Sequence, residues 1–199
     1  MQRPSIAVRP ATMVDGPVTA KILACAFIDD PVMCYIFADV AQRPNKLMQF
    51  FDLVRSTEDD PADTLVAGSD AAVTVWRKPG KWRTPRTSML RHAWPMLTTF
   101  GTALPRALRV QSLLDRHHPA APHWYLEFAG CLPERQGQGF AGAAIRARLH
   151  DTDLAGVPTA LETANPANLP IYGGLGYVVT GTFSVTPDLQ FWSMWRPAA

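Results

Sequence analysis

The sequence predicts a single α/β (α+β) domain spanning residues 1–199, and three observations carry that prediction. At 199 residues the chain is long enough to bury one sizeable core. Hydrophobic residues make up 47% and charged residues 18%, the balance of a globular protein rather than a disordered one. Strand-like apolar runs and helical stripes alternate along the chain, with no internal repeat, low-complexity tract or linker between them.

Each element has its own signal. "SIAVRPA" reads as a short first strand. Thr12 is placed to cap a helix running to Phe27, with Val14, Val18, Ile22, Leu23 and Ala26 on one apolar stripe. Pro31 disfavours helical backbone at Asp30 and ends that helix, and "VMCYIF" forms a short second one. A third, from about Asn45 to Arg55, puts Leu47, Phe50, Phe51 and Val54 on one side. "DTLVAGSDAAVTVW" predicts an antiparallel hairpin turning at Gly68-Ser69-Asp70. A basic, proline-spaced segment of about 77–121 follows as a helical insertion, with helices near 87–100 and 104–116. "HWYLEFAGCL" is the long central strand, and Phe140 to Ala155 the next helix. "TALET" is a strand, "NLPIYGGLG" a short helix ended by glycine, and "YVVTGTFSV" with "FWSMWRP" a closing pair of strands.

Composition excludes several classes. No apolar run approaches the roughly 18 residues a membrane-spanning helix needs, and the first residues lack the apolar core of a secretory leader. Three cysteines, Cys25, Cys34 and Cys131, sit in apolar stretches, which points to reduced, buried thiols and a cytoplasmic protein. The net charge is only +2, yet residues 77–118 hold nine Lys or Arg against one acid, Asp115. The aromatics there, Trp82, Trp94 and Phe100, form no nucleic-acid reading module, so no nucleic-acid partner is expected. His117-His118 reads as a solvated loop pair; without Cys or acid ligands at metal spacing, no metal is expected.

The most informative stretch is "RQGQGFAG", residues 135–142, which fits G-x-G-x-x-G through Gly137, Gly139 and Gly142. A nicotinamide site would need the first glycine directly off the strand and several further βα units. Here "PERQ" intervenes, and only 37 residues follow Glu162, the residue at the ribose-ligand spacing. The more general reading is a nest: small residues at a helix N-terminus leave backbone amides free to hold phosphate oxygens.

With those residues in view, the chain resembles the GCN5-related N-acetyltransferase (GNAT) family. Gln136, Gly139 and Ala141 meet its [Q/R]-x-x-G-x-[G/A] pattern. Asn165, Tyr172, Gly176 and Tyr177 in "LETANPANLPIYGGLGY" are similar to its second signature, an asparagine at a strand end before Tyr-x-x-x-Gly-aromatic. "ACAFIDDP", "AAVTVWRKPG" and the overall length look like the branch of the family that acetylates puromycin. The resemblance implies a central mixed, mostly antiparallel twisted sheet of six to seven strands flanked by helices, with a splay beside the long strand. It also implies an acetyl-CoA-dependent enzyme acting on a primary amine, as a monomer or homodimer with no membrane partner.

Site residues follow from that reading. Gln136, Gly137, Gln138, Gly139, Phe140, Ala141 and Gly142 would bind the pyrophosphate, and Gly130, Cys131 and Leu132 the pantetheine arm. Main-chain N–H groups near Ala129 to Cys131 would polarise the thioester carbonyl. Tyr172 is the expected general acid, protonating the departing thiolate. Asn165 and Asn168 either hydrogen-bond the carrier or cap the short helix. Glu127 and Glu162 are both candidate bases; Glu127 could instead face solvent and Glu162 could be a salt-bridge partner. Asp29 and Asp30 line an amine pocket or cap a helix and turn. Two alternatives remain open: acetylation of a protein N-terminus or lysine, and a non-catalytic acyl-CoA-binding regulatory domain.

Overall fold

The computed structural model describes residues 5–58, 60–83 and 93–199. Among them a seven-stranded sheet runs in the order β1-β2-β3-β4-β5-β7-β6. The strands are β1 (Val8–Pro10), β2 (Thr64–Ala67), β3 (Ala72–Arg77), β4 (Trp124–Cys131), β5 (Thr159–Thr163), β6 (Val178–Thr186) and β7 (Leu189–Arg196). Every neighbouring pair is antiparallel except β4 and β5, so the sheet is mixed and mostly antiparallel, as expected.

Helices cover both faces. On one lie α1 (Gly16–Ala26), α2 (Pro31–Ile36), α3 (Arg43–Ser56), α4 (Ala93–Phe100) and α5 (Leu104–His117). Their core joins Ile22 and Leu23 of α1 to Leu47 and Phe51 of α3, Val73 and Val75 of β3, and Phe183 and Phe191 of the last hairpin. Phe27, Phe50, Phe51 and Phe128 pack edge-on or tilted, the geometry aromatic quadrupoles favour. The other face carries α6 (Phe140–Leu154) and the short α7 (Leu169–Gly173). There Ile145 and Leu149 of α6 pack with Trp76, Leu126, Leu161 and Tyr177.

Local chemistry sets the boundaries. Asp30 begins α2 by accepting hydrogen bonds from the amides of Val32 and Met33, and Pro31 occupies the first turn, where no amide is missed. The β2–β3 turn takes left-handed backbone at Gly68, Ser69 and Asp70. A side chain on Gly68 would run into the ring of Phe140, so this glycine lets the first residue of α6 seat against the hairpin. Bidentate pairing of Arg196 with Asp153 (2.6 and 2.7 Å) ties the end of β7 to the end of α6.

Three expectations need correction. Thr12 precedes a short 3-10 turn (Met13–Asp15) rather than α1 itself, and its amide and hydroxyl both donate to Asp15. Val14 consequently leaves the predicted stripe and is 86% exposed. The three cysteines are half-buried, not sealed in the core. The fourth helix is described over Ala93–Phe100, and its predicted start near 87 lies outside the described residues.

Candidate active site

The glycine loop leaves the end of β4 through a 3-10 turn (Pro133–Arg135) and enters α6. Gly137 (φ 73°) and Gly139 (φ 89°) are left-handed, a conformation their lack of Cβ permits. Gly139 occupies the N-cap position of α6 and carries no side chain, so among the described residues the amides of Phe140, Ala141 and Gly142 have no capping partner. The first amide to find a helical partner is that of Ala143, on the carbonyl of Gly139. Gln136, Gly137, Gln138 and Gly139 are exposed. Arg135 lies over the Phe140 ring at 4.8 Å, and the Arg146 guanidinium comes within 3.3 Å of where a Cβ on Gly142 would stand. Gly142, without a place in the signature, thus leaves room for a cation beside the loop. Free amides, a helix N-terminus and two arginines are what a pyrophosphate requires.

Between β4 and β5 the sheet opens. The strands pair only at Trp124↔Thr159 and Tyr125↔Ala160, although β4 continues to Cys131 and β5 to Thr163. Burial records the gap: β3 is buried at five of its six residues, whereas β4, the central strand, is only partly buried at six of its eight. The Leu132 amide bonds the carbonyl of Ala71. Antiparallel alternation then turns the main-chain groups of Ala129 and Cys131 away from β3 and into the gap. The Gln136 side-chain amide also reaches the Cys131 carbonyl, at 3.4 Å. Gly130 serves packing as well, since a Cβ there would stand 2.9 Å from that of Ala26 on α1.

Tyr172, on α7, is partly buried and packs edge-on to Tyr177 with ring centroids 6.0 Å apart. Burial pushes its phenol up to about 12, helped by the negative charge of Asp30. Asp30 belongs to the opposite helical layer, so the two groups sense each other where β4 and β5 are unpaired. Asn165, not Asn168, caps the turn before α7: its side-chain oxygen accepts from the amide of Ala167 at 3.0 Å. The Asn168 side chain donates to Thr163 Oγ1 at 3.4 Å.

The two candidate bases stand in different surroundings. The β3–β4 register skips Glu127, pairing Val75 with Phe128 and Trp76 with Leu126, so Glu127 is the extra residue of a β-bulge. The bulge disrupts the simple alternation expected there, and Glu127, partly buried, is paired: Arg77 Nε donates to its Oε2 at 2.6 Å. Glu162, on β5 two residues past the last β4 pairing, has a side chain only 2% exposed. Among the described residues its carboxylate oxygens have no well-aligned hydrogen bond, and the Tyr125 hydroxyl is the donor directed at them. Burial raises it to about 7, with the Tyr125 hydroxyl as its polar neighbour pulling the other way.

One group escaped the sequence reading. His118 is no solvated loop residue: its side chain is 2% exposed and its Nδ1 lies 3.9 Å from Glu162 Oε1. The ring stacks on Trp82 (centroids 3.7 Å, 21°) and neighbours His123 at 4.8 Å and Tyr125 at 4.9 Å. Burial lowers it to about 4, so it is neutral near pH 7. His117 stacks on Phe183 at 4.2 Å, and the His123 side chain is fixed by the Ala121 carbonyl at 2.6 Å. A proline after the pair, Pro119, was the one local hint that the helix ends there and the chain turns inward.

The α1–α2 turn, which carries Asp30, is held by a buried arginine. Arg43, buried and without a carboxylate partner among the described residues, donates to the carbonyls of Phe37 (2.8 Å) and Ile28 (3.2 Å). Those bonds fix the segment that presents Asp30 to the gap, while Asp29 stays exposed.

No protein-family model matches the chain. Among solved structures it is similar to a "histone acetyltransferase HPA2 and related acetyltransferase" from Corynebacterium glutamicum, at 25% identity and a TM-score of 0.74 over 98% of this chain and 97% of that one. The arylalkylamine N-acetyltransferase 2 of Aedes aegypti aligns over 98% and 99% of the two chains, at 12% identity and a TM-score of 0.64. The ribosomal-protein-S18-alanine N-acetyltransferase of Escherichia coli aligns over 98% and 94%, at 14% and 0.56. The fold is therefore that of the GNAT acetyltransferases.

Proposed function

We propose that the protein is an acetyl-CoA-dependent N-acetyltransferase acting on the primary amine of a small molecule. The observation that carries this is the gap between β4 and β5, with an uncapped glycine nest at one end and a buried carboxylate, Glu162, at its margin beside Tyr125 and His118. The similarity to structures named as acetyltransferases, one of them bound to CoA, supports the same reading.

When bound, acetyl-CoA supplies an acetyl group already activated as a thioester. Gln136 to Gly142 hold its pyrophosphate through main-chain amides, with Arg135 and Arg146 balancing charge. The strand end from Gly130 to Leu132 takes the pantetheine arm by main-chain hydrogen bonds, as an open strand edge takes a peptide. The amides of Ala129 and Cys131 polarise the thioester carbonyl. An ammonium cannot attack until it loses a proton, and Glu162, held near 7, accepts that proton at neutral pH. The nitrogen then forms the new C–N bond, the C–S bond breaks, and the Tyr172 hydroxyl gives its proton to the departing sulfur. Because Tyr172 sits near 12, it stays protonated and ready throughout the physiological range. Glu127, committed to Arg77, is the weaker base of the two.

Asn165 and Asn168 take structural roles in this account, shaping the strand end that leads into α7. The test is a thiol-release assay with acetyl-CoA over an amine panel that includes puromycin, peptide N-termini and lysine peptides. Release with small amines supports the proposal. Release only with peptides transfers the activity to protein substrates, and tight acetyl-CoA binding without release on any amine leaves a binding domain.

A further inference from the structure

Resting on that reading, a further residue of the site follows from how Glu162 is placed. Tyr125 and Ala160 form the last rung of the β4–β5 pairing, and Glu162 lies two residues on along β5. Side chains of one strand return to the same face every second residue, so Glu162 shares the face of Ala160 and of its partner Tyr125. Ala160 is sealed in the sheet and offers only a methyl group, which leaves the Tyr125 ring room to lean along β5. A neighbour one rung further on is within reach of an aromatic side chain, and the Tyr125 hydroxyl is the donor directed at the Glu162 carboxylate. Two imidazoles hold the ring in that pose: His118 packs edge-on to it at 4.9 Å and His123 at 6.5 Å. His118 Nδ1 also stands 3.9 Å from Glu162 Oε1, so a phenol and an imidazole both face this carboxylate, whose side chain is 2% exposed.

A phenylalanine would fill the same space, so the hydroxyl needs a reason of its own. Burying a hydroxyl without a partner costs free energy, and burying a carboxylate costs more. A donor bonds an ionised carboxylate more strongly than a neutral acid, so the contact favours the form that can accept a proton. Loss of hydration keeps the Tyr125 phenol well above its ordinary value, and it remains a donor across the working range. We propose that Tyr125 is a positioning residue: its hydroxyl aims the Glu162 carboxylate at the edge of the β4–β5 gap and stabilises its ionised form. Without that donor, burial would favour the protonated acid still further, and a protonated acid cannot take the proton of an ammonium. Other titratable and charged groups surround the pair. Arg77 donates to Glu127, the Arg83 guanidinium lies over the Trp82 indole at 4.5 Å, and burial lowers both His118 and His123. The imidazoles therefore titrate below the window in which Glu162 does.

The test reads the carboxylate itself. Carbon-13 NMR of the protein labelled at its glutamate carboxyls follows the titration, with Glu162→Gln assigning the signal. Glu162 should titrate near 7 in the wild type and at least about half a pH unit higher in Tyr125→Phe. Placing 3-fluorotyrosine, a stronger donor, at position 125 should move the midpoint down, which gives an independent reading if Tyr125→Phe does not fold. Thiol release with acetyl-CoA and the puromycin and peptide amines is measured in parallel. The acid limb of kcat/KM should move up with the midpoint in Tyr125→Phe, as a loss of about threefold at pH 6 that shrinks to less than about twofold at pH 9. Release by the wild type with an unmoved midpoint, or a loss in Tyr125→Phe that is the same at every pH, overturns the pairing and leaves the transferase standing. A moved midpoint with no thiol release on any amine upholds the pairing and overturns the transferase reading.

Discussion

The two ends of the β4–β5 gap are built on opposite principles. The glycine-loop end is made of backbone, exposed, and contributed by one continuous run from Gln136 to Gly142. The Glu162 end is made of side chains, sealed from solvent, and contributed by Trp82, His118, Tyr125 and Glu162 from four separate parts of the chain. A diphosphate is large, always charged and the same in every turnover, so fixed amides at a helix N-terminus suffice for it. An acceptor nitrogen must change protonation state before it reacts, and that needs a titratable group whose value the surroundings have moved. Rigid anion binding at one end and poised proton transfer at the other is the division of labour proposed here.

The largest effect that would sharpen this contrast is on chemistry. Tyr172→Phe should lower kcat by about 10²-fold or more while leaving acetyl-CoA affinity within about twofold, because it removes a proton donor and not a binding contact. Single-turnover kinetics with saturating acetyl-CoA would reveal it; an unchanged rate would reduce Tyr172 to a packing residue beside Tyr177.

The next prediction concerns stability at the sealed end. Glu162 is held near 7 against an ordinary 4.5, so the folded protein keeps its proton more tightly than the unfolded chain does. Its contribution is fully present below pH 4.5 and is lost as pH rises through 7. The amount is at most about 3 kcal/mol, from the constant of 1.36 kcal/mol per unit. His118, lowered to about 4, acts in the opposite sense: it loses stability as pH falls below its unfolded value. His123 is lowered by burial in the same way, and Tyr125 is raised well above its ordinary value and does not titrate in this window. Comparing wild type with Glu162→Gln by urea unfolding at pH 5 and pH 8 isolates the carboxylate. The substitution should stabilise the protein at pH 8 and change it little at pH 5.

Two smaller effects probe the exposed end. Gly68→Ala forces a side chain into left-handed backbone and against the Phe140 ring, at an expected cost of about 2 kcal/mol and a fall of several degrees in Tm. Gly139→Ala strains the N-cap of α6 at φ 89°. It should weaken acetyl-CoA about tenfold, with no change in amine binding once the carrier is saturating. An equal loss at both ends would show that the gap is one coupled site and not two.

How much of this was legible follows the same division. The glycine loop could be read because its function depends on residues that are small and adjacent, and backbone conformation writes itself locally. The hairpin at Gly68-Ser69-Asp70, the long strand, and the helix from Phe140 were legible for the same reason. Glu162 was visible only as an acid in an apolar strand, and its partner His118 was misassigned to a solvated loop. Nothing near His118 in the sequence indicates that Trp82 and β5 will bury it; only the folded sheet brings them together. Glu127 was ambiguous because a bulge, which alternation does not anticipate, decides its neighbour. Asn165 and Asn168 both stood between carrier contact and helix cap in the sequence, and only the fold makes Asn165 the cap and turns Asn168 to Thr163.

The central claim is that the nest serves the diphosphate of an acyl carrier, not that of a nicotinamide dinucleotide. Calorimetric titration of the protein with acetyl-CoA, CoA and NADH tests it most directly. Saturable one-to-one binding of acetyl-CoA and CoA, lost or much weakened in Gly139→Ala and absent for NADH, is the predicted result. Binding of NADH with no response to acetyl-CoA would contradict it.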